Sequence, residues 1–440
     1  MAELTSGATA APAVTPARDR PSLVPGIPRR QLRAAGIGNL IEWFDWNAYA
    51  LLSVYFAGQF FPAGTSPLVA LLGTFGIMAV GFIARPLAGL VLGTVADRFG
   101  RKPALLLTVY GMGVSSLLIA FAPTYAQVGL VAPLILLVAR IVQGICIGGE
   151  YASMSAFAME MAPQGRRGFI AGVLNAVAGF GQIAVAGLVL LLSWTLPHEA
   201  MTAWGWRLVF VVGALLSVAG IWLRRDMHET IDARRSRAGA TGMFAAMRRY
   251  PGATVRVVGL TIGFTAMVYA WGTYMPTYAT TYRGFDPKLG MVAMVVSTVV
   301  AMVGALVAGR LSDRFGRRPT MVAAGVLLTV GTVPALALIN HSVWSLIAVQ
   351  GFGMLTLSLL QASSMPAYTE MFPADFRAAG LGFPYALTVG LIGGTVPMVG
   401  TQLASVGLPT AFPWYLVVLM AISTVFYLTM KETAFEPLPD

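Results

Sequence analysis

Long apolar stretches, separated by short clusters of charged residues, glycine and proline, divide this chain of 440 residues. Each stretch has about the 20 residues that an α-helix needs to cross a membrane, or more. Six stretches precede a polar segment at residues 224–250, and six follow it. They cover residues 34–61, 67–96, 104–123, 128–159, 168–194, 206–223, 254–282, 289–309, 320–339, 343–369, 378–406 and 411–430. The pattern predicts an all-α polytopic membrane protein with twelve transmembrane helices in two six-helix bundles.

The composition agrees with this pattern. Only 11% of the residues are charged and 57% are hydrophobic, whereas an ordinary soluble domain carries about 25% charged residues. A soluble enzyme is therefore excluded. The predicted domains are a disordered cytoplasmic tail (1–30), an N-terminal six-helix bundle (31–223), a cytoplasmic linker (224–253), a C-terminal six-helix bundle (254–431) and a cytoplasmic tail (432–440).

Basic residues concentrate on one side of the predicted helices. Of the 29 Lys and Arg residues, 24 fall in tails and loops on the same side as the N-terminus. Arg283 and Lys288 fall on the other side, and the remaining three lie in or at the edge of spans. The positive-inside rule therefore predicts that both termini are cytoplasmic. The same rule accounts for the net charge of +11, so we expect no nucleic-acid partner.

Motifs for metal, cofactor or covalent chemistry are missing from the sequence. The three histidines are scattered, and the single cysteine, Cys146, cannot form an intrachain disulfide. No phosphate-binding loop and no arrangement of catalytic Ser, Cys and His stands out. We therefore expect no metal, no cofactor and no enzymatic activity, and an ion or substrate gradient as the energy source.

Two loops repeat one sequence pattern. GTVADRFGRKP at Gly93–Pro103 and GRLSDRFGRRP at Gly309–Pro319 lie 216 residues apart. A second repeated set, 210 residues apart, comprises Glu160, Pro163 and Arg167 and their counterparts Glu370, Pro373 and Arg377. Each loop lies between the second and third spans of its half. The chain is therefore predicted to be a duplication of two six-helix halves.

The repeated loops carry the pattern G-x-x-x-D-R-x-G-R-K/R. Together with RIVQGICIGGE at Arg140–Glu150, they make the chain resemble transporters of the major facilitator superfamily from about residue 33 to 431. The segments GNLIEWFDW, ARPLAG, WGWRLVF and EMFPADFRAAGLG resemble the metabolite:proton symporter family and, within it, the α-ketoglutarate permeases. The resemblance implies alternating access by two bundles in the cytoplasmic (inner) membrane of a bacterium. We expect a monomer.

The resemblance also implies a gating role for the charged residues of the two loops. These residues are Asp97, Arg98 and Arg101 in the first loop and Asp313, Arg314 and Arg317 in the second. A carboxylate at a helix end can pair with an arginine or with the N-terminus of a neighbouring helix, and such pairs would stabilise the outward-open state. The alternative is that these charges only orient the chain and stabilise the loops.

Six ionisable side chains fall inside the predicted spans or at their edges. They are Glu42, Asp45, Arg85, Arg140, Glu150 and Arg207, all in the N-terminal half. A charge at the centre of a membrane helix costs about 2.5–3.5 kcal/mol on insertion scales, so each of these residues is a functional candidate. The C-terminal spans offer neutral polar and aromatic side chains instead.

The carboxylates of the first span are the candidate proton carriers. Asn39, Glu42 and Asp45 recur every three residues and so lie on or near one helical face. At 1.5 Å per residue, Asp45 lies about 18 Å beyond Arg33, close to mid-membrane. A carboxyl group there can take up or release a proton when its charged neighbours change. We therefore predict proton coupling by Glu42, Asp45, Arg140 and Glu150; the alternative is static ion pairs between helices.

Arginines in the spans are the candidate ligands for an anionic substrate. The planar guanidinium group makes two-point contact with a carboxylate, which favours Arg85, Arg140 and Arg207. Arg207 is equally consistent with an entry or structural role. The predicted substrate site is completed by Asn39, Tyr49, Tyr269, Tyr274 and Gln361; in membrane helices such aromatics also serve as packing or interface residues.

The sequence thus predicts a proton-coupled symporter that imports a small organic acid, a di- or tricarboxylate such as 2-oxoglutarate. Its expected partners are that acid, protons and the lipid bilayer. An aromatic or cyclic acid of the shikimate kind, or a zwitterionic osmolyte such as proline or betaine, remains an alternative substrate. A non-transporting membrane sensor is the alternative from a different class, although the longest loop, near 27 residues, is short for an output domain.

Overall fold

The computed structural model describes residues 29–88, 91–92, 95, 101–148, 150–225 and 246–439, without the side chains of residues 29–39, 101–105, 150, 153 and 223–225. Most of the predicted N-terminal tail and linker therefore lie outside the described residues. Twelve helical spans follow one another: α1 Arg29–Phe56, α2 Pro67–Ile83, α3 Arg101–Ala120, α4 Val131–Ile147 with Glu150–Met161, α5 Arg167–Thr195, α6 Trp206–Arg225, α7 Pro251–Tyr269 with Met275–Arg283, α8 Pro287–Phe315, α9 Arg317–Ala337, α10 Val343–Thr369, α11 Arg377–Leu391 with Val396–Ser405, and α12 Ala411–Thr429.

The helices have the length and surface of membrane spans. Nine helices in the described part of the chain are long and apolar enough to cross a membrane, and the apolar parts of α3 and α4 are somewhat shorter. Of the twelve, α1 carries the most charged residues. Large apolar side chains face outward along the spans, among them Phe121, Trp222, Val330 and Trp344. In a membrane this apolar surface contacts lipid, and the helical backbone satisfies its own hydrogen bonds.

Three spans are interrupted where the apolar pattern alone predicts continuous helices. The first part of α4 ends at Ile147 with Gly148, a residue of low helix propensity, as its C-cap, and the second part begins at Glu150. A π-helical turn, Ala270–Tyr274, joins the two parts of α7. A 3-10 turn, Gly393–Thr395, joins the two parts of α11. Such turns change the direction in which the following side chains point, and they are frequent at functional sites.

Small residues let the two halves approach closely. A Cβ atom on Gly172 of α5 would collide with the carbonyl oxygen of Ala305 in α8, and Gly168 and Gly309 meet in the same way one helical turn or so away. On the other side of the molecule, Gly390 of α11 lies against the backbone of Phe82 in α2. Glycine at these contacts allows backbone-to-backbone packing across the bundle interface.

The α4–α5, α8–α9 and α10–α11 connections and the C-terminal residues 430–439 lie at one end of the molecule, which we call the loop face. The chain turns from α8 into α9 at Gly316, whose φ of +106° is readily adopted only by glycine. The opposite end, which we call the far face, carries the α1–α2, α3–α4, α5–α6, α7–α8, α9–α10 and α11–α12 connections.

Candidate functional site

A cavity of about 80 Å³ lies between the two halves, with room for several water molecules. Helices α1, α2, α4 and α5 of the first half and α7, α10 and α11 of the second half contribute to its wall. Its polar lining consists of Glu42, Arg85, Tyr151, Asn175, Thr265, Tyr269, Gln361, Ser364 and Tyr385. Because both halves supply polar groups, a solute held here contacts both halves at once.

Arg85 is the one basic residue among the described residues that line this cavity. It begins the 3-10 turn Arg85–Leu87 that follows α2, and Pro86 fixes the backbone after it. The side chain is 8% exposed. Its guanidinium carbon lies 4.2 Å from the ring centroid of Phe82 and 4.4 Å from that of Trp46. The cation is therefore held on aromatic faces and can turn its N–H groups to a ligand.

Tyrosines form the wall opposite Arg85. Tyr269 packs edge-on against Phe82, with ring centroids 4.8 Å apart, and interacts electrostatically with Arg85 and Glu42. Tyr151 of α4 and Tyr385 of α11 stack across the two halves, with centroids 4.2 Å apart and planes 9° apart. The cavity therefore combines one cation, one carboxyl group and flat aromatic surfaces.

Asp45 lies outside the cavity lining, within the first bundle. Its side chain is 1% exposed. The hydroxyl of Ser116 in α3 lies 2.7 Å from each carboxylate oxygen, and the amide of Gln143 in α4 donates to one of them at 3.0 Å. Arg140 is the basic residue that interacts with Asp45 electrostatically. Asp45 is thus a buried carboxyl group with neutral donors and one nearby cation.

Arg140 is completely buried and lies against aromatic rings. Its guanidinium carbon is 3.7 Å from the ring centroid of Tyr49 and 5.3 Å from that of Trp46. All three guanidinium nitrogens lack a hydrogen-bond partner among the residues that the structure describes. Buried polar groups almost always have partners, so the unpartnered guanidinium group makes Arg140 a candidate functional residue.

The two repeated loops, Gly93–Pro103 and Gly309–Pro319, are called the first and second signature loops. The second signature loop joins the two halves at the loop face. Asp313, near the end of α8, accepts hydrogen bonds from the backbone N–H groups of Gly168 and Phe169 at 2.8 Å each. These two groups belong to the first turn of α5, where a carboxylate is favoured by the helix dipole. Arg317, which is fully buried, holds the same carboxylate at 2.9 Å.

The repeated Glu and Arg residues form ion pairs between the halves, so that each arginine pairs with the glutamate of the other half. Arg167 of the first half lies 3.1 Å from Glu370 of the second, and Arg377 of the second half lies 2.7 Å from Glu160 of the first. Arg317 also lies 3.6 Å from Glu370. Each half therefore supplies an arginine to the other, and the loop face is closed by reciprocal ion pairs.

The C-terminal segment packs onto this network. The carboxylate of Glu432 accepts hydrogen bonds from the backbone N–H groups of Arg317 and Arg318, at 2.8 and 3.0 Å, and so caps the start of α9. The hydroxyl of Thr433 donates to Glu370 at 2.6 Å. The tail thus ties the second signature loop to the ion pairs between the halves.

The structure brings some of the predicted site residues to the cavity and leaves others elsewhere. Glu42, Arg85, Tyr269 and Gln361 line it. Tyr49 donates to the carbonyl of Thr74, Tyr274 bonds with Thr401, and Arg207 donates to the carbonyls of Ala120 and Ala122 near the far face. The guanidinium carbon of Arg314 lies 5.4 Å from the ring of Phe315. Asp97 and Arg98 lie outside the described residues, as do the side chains of Asn39, Arg101 and Glu150.

Sequence reasoning missed several residues of these sites. Tyr151 and Asn175 line the cavity, and Ser116 and Gln143 hold Asp45. Gln143 lies three residues after Arg140, on the same helical face, and this spacing could have pointed to it. Neutral polar residues are common in membrane helices, so the other three carry no comparable signal.

Comparisons with known proteins agree with the fold. A sequence model of the Major Facilitator Superfamily matches residues 36–307 and 284–439. The chain is 37% identical to the alpha-ketoglutarate permease of Escherichia coli (strain K12), over 88% of this chain and 90% of that protein. It is 33% identical to the glycine betaine/proline/ectoine/pipecolic acid transporter OusA of Dickeya dadantii, over 93% of this chain and 84% of that protein.

Solved structures support the same fold. The xylose transporter XylE from E. coli, in a partially occluded inward-open conformation, superimposes with a TM-score of 0.72 at 16% sequence identity, over 93% of this chain and 99% of that one. The predicted twelve-helix fold and the predicted resemblance are thereby confirmed. The chain belongs to the major facilitator superfamily of membrane transporters.

Proposed function

We propose that this transporter is a proton-coupled symporter that imports a small organic acid such as 2-oxoglutarate. The observation that carries the proposal is Arg85, a cation on the wall of a cavity between the two halves. A guanidinium group offers a carboxylate two parallel hydrogen bonds. The 37% identity to an alpha-ketoglutarate permease supports the same substrate class.

In this proposal the proton binds within the first bundle. Asp45 takes up a proton from the outside and releases it to the inside, and Arg140 is the neighbour whose movement changes the stability of the carboxylate. Glu42, which lines the cavity with Arg85, is the second candidate proton carrier. Protonation of a buried carboxyl group removes a charge that is costly to carry across the membrane interior.

Alternating access then requires the segment 31–223 to rock against the segment 254–431. We propose that Asp313, Arg317 and the ion pairs of the loop face hold that face closed while the cavity opens outward, and that the first signature loop contributes in the same way. The positive-inside rule supports a cytoplasmic location for the loop face and both termini, in the inner membrane of a bacterium. Since one chain forms the whole cavity, a monomer suffices for transport.

A zwitterionic substrate such as proline or betaine is the second candidate. Glu42 lies on the same cavity as Arg85, and an opposed carboxylate and guanidinium suit a molecule with one charge of each sign. The identity of 33% to a glycine betaine/proline/ectoine/pipecolic acid transporter supports this alternative. For an aromatic or cyclic acid, the stacked Tyr151 and Tyr385 would supply a flat contact surface.

Thermal unfolding of the purified protein with a panel of ligands separates these substrates. A ligand present at 100 times its dissociation constant stabilises the folded state by about 2.7 kcal/mol. We expect 2-oxoglutarate to raise the melting temperature, and proline, betaine and shikimate to leave it unchanged. Stabilisation by betaine or proline alone would replace the organic-acid assignment with the osmolyte assignment.

Coupling is tested in proteoliposomes whose membrane potential is clamped at zero. A pH gradient of about one unit supports about tenfold accumulation per coupled proton. We expect labelled 2-oxoglutarate to accumulate to that extent and a protonophore to abolish the accumulation. We expect Asp45→Asn to exchange internal for external substrate but not to accumulate it, while Asp286→Asn, an exposed control, behaves as the wild type. Full accumulation by Asp45→Asn would remove Asp45 from the mechanism.

A further inference from the structure

The ring of Trp46 lies between the two sites described above. The guanidinium carbon of Arg85 is 4.4 Å from its centroid, and that of Arg140 is 5.3 Å from it. Arg85 lines the cavity, and Arg140 interacts with Asp45 in the bundle interior. One indole ring therefore lies within cation–π distance of both arginines.

The two carboxyl groups of α1 belong to different sites. Glu42 lines the cavity, whereas Asp45 is enclosed by Ser116 and Gln143. Trp46 follows Asp45 directly in the sequence and is 2% exposed. A solute in the cavity therefore meets Arg85 and Glu42, while Trp46 contacts both Arg85 and Arg140.

Contacts with aromatic rings determine where Arg140 lies. Its nitrogens have no hydrogen-bond partner among the described residues, and its guanidinium carbon lies close to the rings of Tyr49 and Trp46. A cation–π contact attracts a cation that lies over a ring within about 6 Å of its centroid. A small movement of the Trp46 ring would therefore shift Arg140 relative to Asp45.

Trp46 itself is positioned by packing. Its ring meets Phe82 edge-on, with centroids 4.0 Å apart. Its indole nitrogen is buried and has no hydrogen-bond partner in the described part of the chain. Because no hydrogen bond locks the indole, the ring can adjust when one of its two cations moves.

We propose that Trp46 is the positioning residue that couples the substrate site to the proton site. A substrate carboxylate draws Arg85 away from the indole ring, which then interacts with Arg140 alone. Arg140 then moves towards Trp46 and away from Asp45, so the carboxyl group of Asp45 binds a proton more readily. Substrate and proton favour each other's binding, and this linkage is reciprocal. The inference rests on the proposed proton symport.

The test compares Trp46→Leu and Trp46→Phe with wild type in the potential-clamped proteoliposomes, with labelled 2-oxoglutarate as the probe. Exchange of internal for external substrate needs no net proton movement, whereas accumulation under a pH gradient needs coupling. For Trp46→Leu we expect exchange to fall by no more than about threefold, while accumulation falls from about tenfold to about onefold. Trp46→Phe keeps an aromatic face and should recover part of the accumulation.

Trp206→Leu is the matched control. Trp206 is also completely buried in the first half and carries one guanidinium group, that of Arg207, at 4.4 Å from its centroid. It does not contact Arg85 or Arg140 through any cation–π pair among the described residues. We expect this variant to keep wild-type accumulation, so that loss in Trp46→Leu reflects the position of the ring and not the loss of a buried indole.

The accumulation and exchange assays separate a failure of the proposed function from a failure of the role of Trp46. Wild-type protein without protonophore-sensitive accumulation of 2-oxoglutarate would overturn the proposed function and this inference with it. Wild-type accumulation matched by Trp46→Leu would overturn this inference alone. A Trp46→Leu protein that folds, by its melting temperature, but loses exchange and accumulation equally would also overturn it, because Trp46 would then serve substrate binding or packing only.

Discussion

The buried arginines at the loop face and those in the membrane interior are held in different ways. At the loop face, Arg167 and Arg377 each lie about 3 Å from a carboxylate of the other half. In the interior, Arg85 and Arg140 lie on aromatic rings. Removing one partner of a buried ion pair such as Arg167–Glu370 costs about 3–5 kcal/mol, whereas a cation–π contact contributes about 0.5–2 kcal/mol. The interior arginines can therefore change partners more easily.

The two regions also differ in symmetry. At the loop face each half contributes one glutamate and one arginine, and each arginine pairs with the glutamate of the other half. The interior arginines of the described spans come from the first half alone, and the second half contributes tyrosines and neutral polar groups to the cavity. A symmetric interface suits two bundles that move against each other, and an asymmetric interior suits a site that must distinguish a charged solute from its surroundings.

The largest expected effect follows from removing one charge of the loop face. Glu370→Gln removes the carboxylate that Arg167 shares with Arg317, and Arg317 keeps Asp313. Leaving Arg167 buried without a carboxylate costs about 3–5 kcal/mol in the closed arrangement. Opening the face to water relieves this cost, so we expect the population with an open loop face to rise more than 100-fold. Labelling of Asn175→Cys, a cavity position, by an impermeant thiol reagent measures the change in a Cys146→Ser background.

The control for this prediction is Glu436→Gln, which removes an exposed carboxylate on the same face. Labelling is compared in inside-out and right-side-out vesicles. We expect Glu370→Gln to increase labelling from the loop-face side only, and Glu436→Gln to change neither. Equal labelling of Glu370→Gln and wild type from both sides would show that the ion pairs do not set the conformation.

A smaller effect is expected from changing the shape of the interior cation while keeping its charge. Arg85→Lys loses the planar fork and its two-point contact, which we estimate at about 2 kcal/mol or a roughly 30-fold weaker Kd for 2-oxoglutarate. Arg207→Lys is the matched control, since Arg207 bonds only to backbone carbonyls in the described residues. The Kd of Arg207→Lys for 2-oxoglutarate should stay within about twofold of that of the wild type. If a binding titration instead shows a weaker Kd for Arg207→Lys than for Arg85→Lys, the substrate site lies at Arg207.

The sequence predicted the fold well because membrane spans obey simple rules. A span must be apolar over about 20 residues and must satisfy its own backbone hydrogen bonds. Each helix can therefore be recognised from its own stretch of sequence. The break in α4 and the π-helical turn Ala270–Tyr274 were not predicted. Both depend on how a helix packs against its neighbours, and the apolar pattern carries no information on that packing.

The candidate site was only partly predictable. Glu42 and Arg85 stand out because a charge inside a span is costly, and both line the cavity. Tyr151 and Asn175 carry no such cost and become visible only when the halves are brought together. The repeat of Glu160 and Arg167 was visible too, but the exchange of partners between halves depends on the relative placement of the two bundles.

The smallest expected effect concerns the tail, where charge acts through a helix terminus and not through an ion pair. Glu432→Gln keeps an acceptor for the N–H groups of Arg317 and Arg318 but removes the negative charge at the start of α9. Loss of such a charge costs about 1 kcal/mol, so we expect labelling of Asn175→Cys from the loop-face side to rise about fivefold. Glu436→Gln again serves as the control. A change as large as that of Glu370→Gln would mean that the tail, and not the exchanged ion pairs, holds the loop face closed.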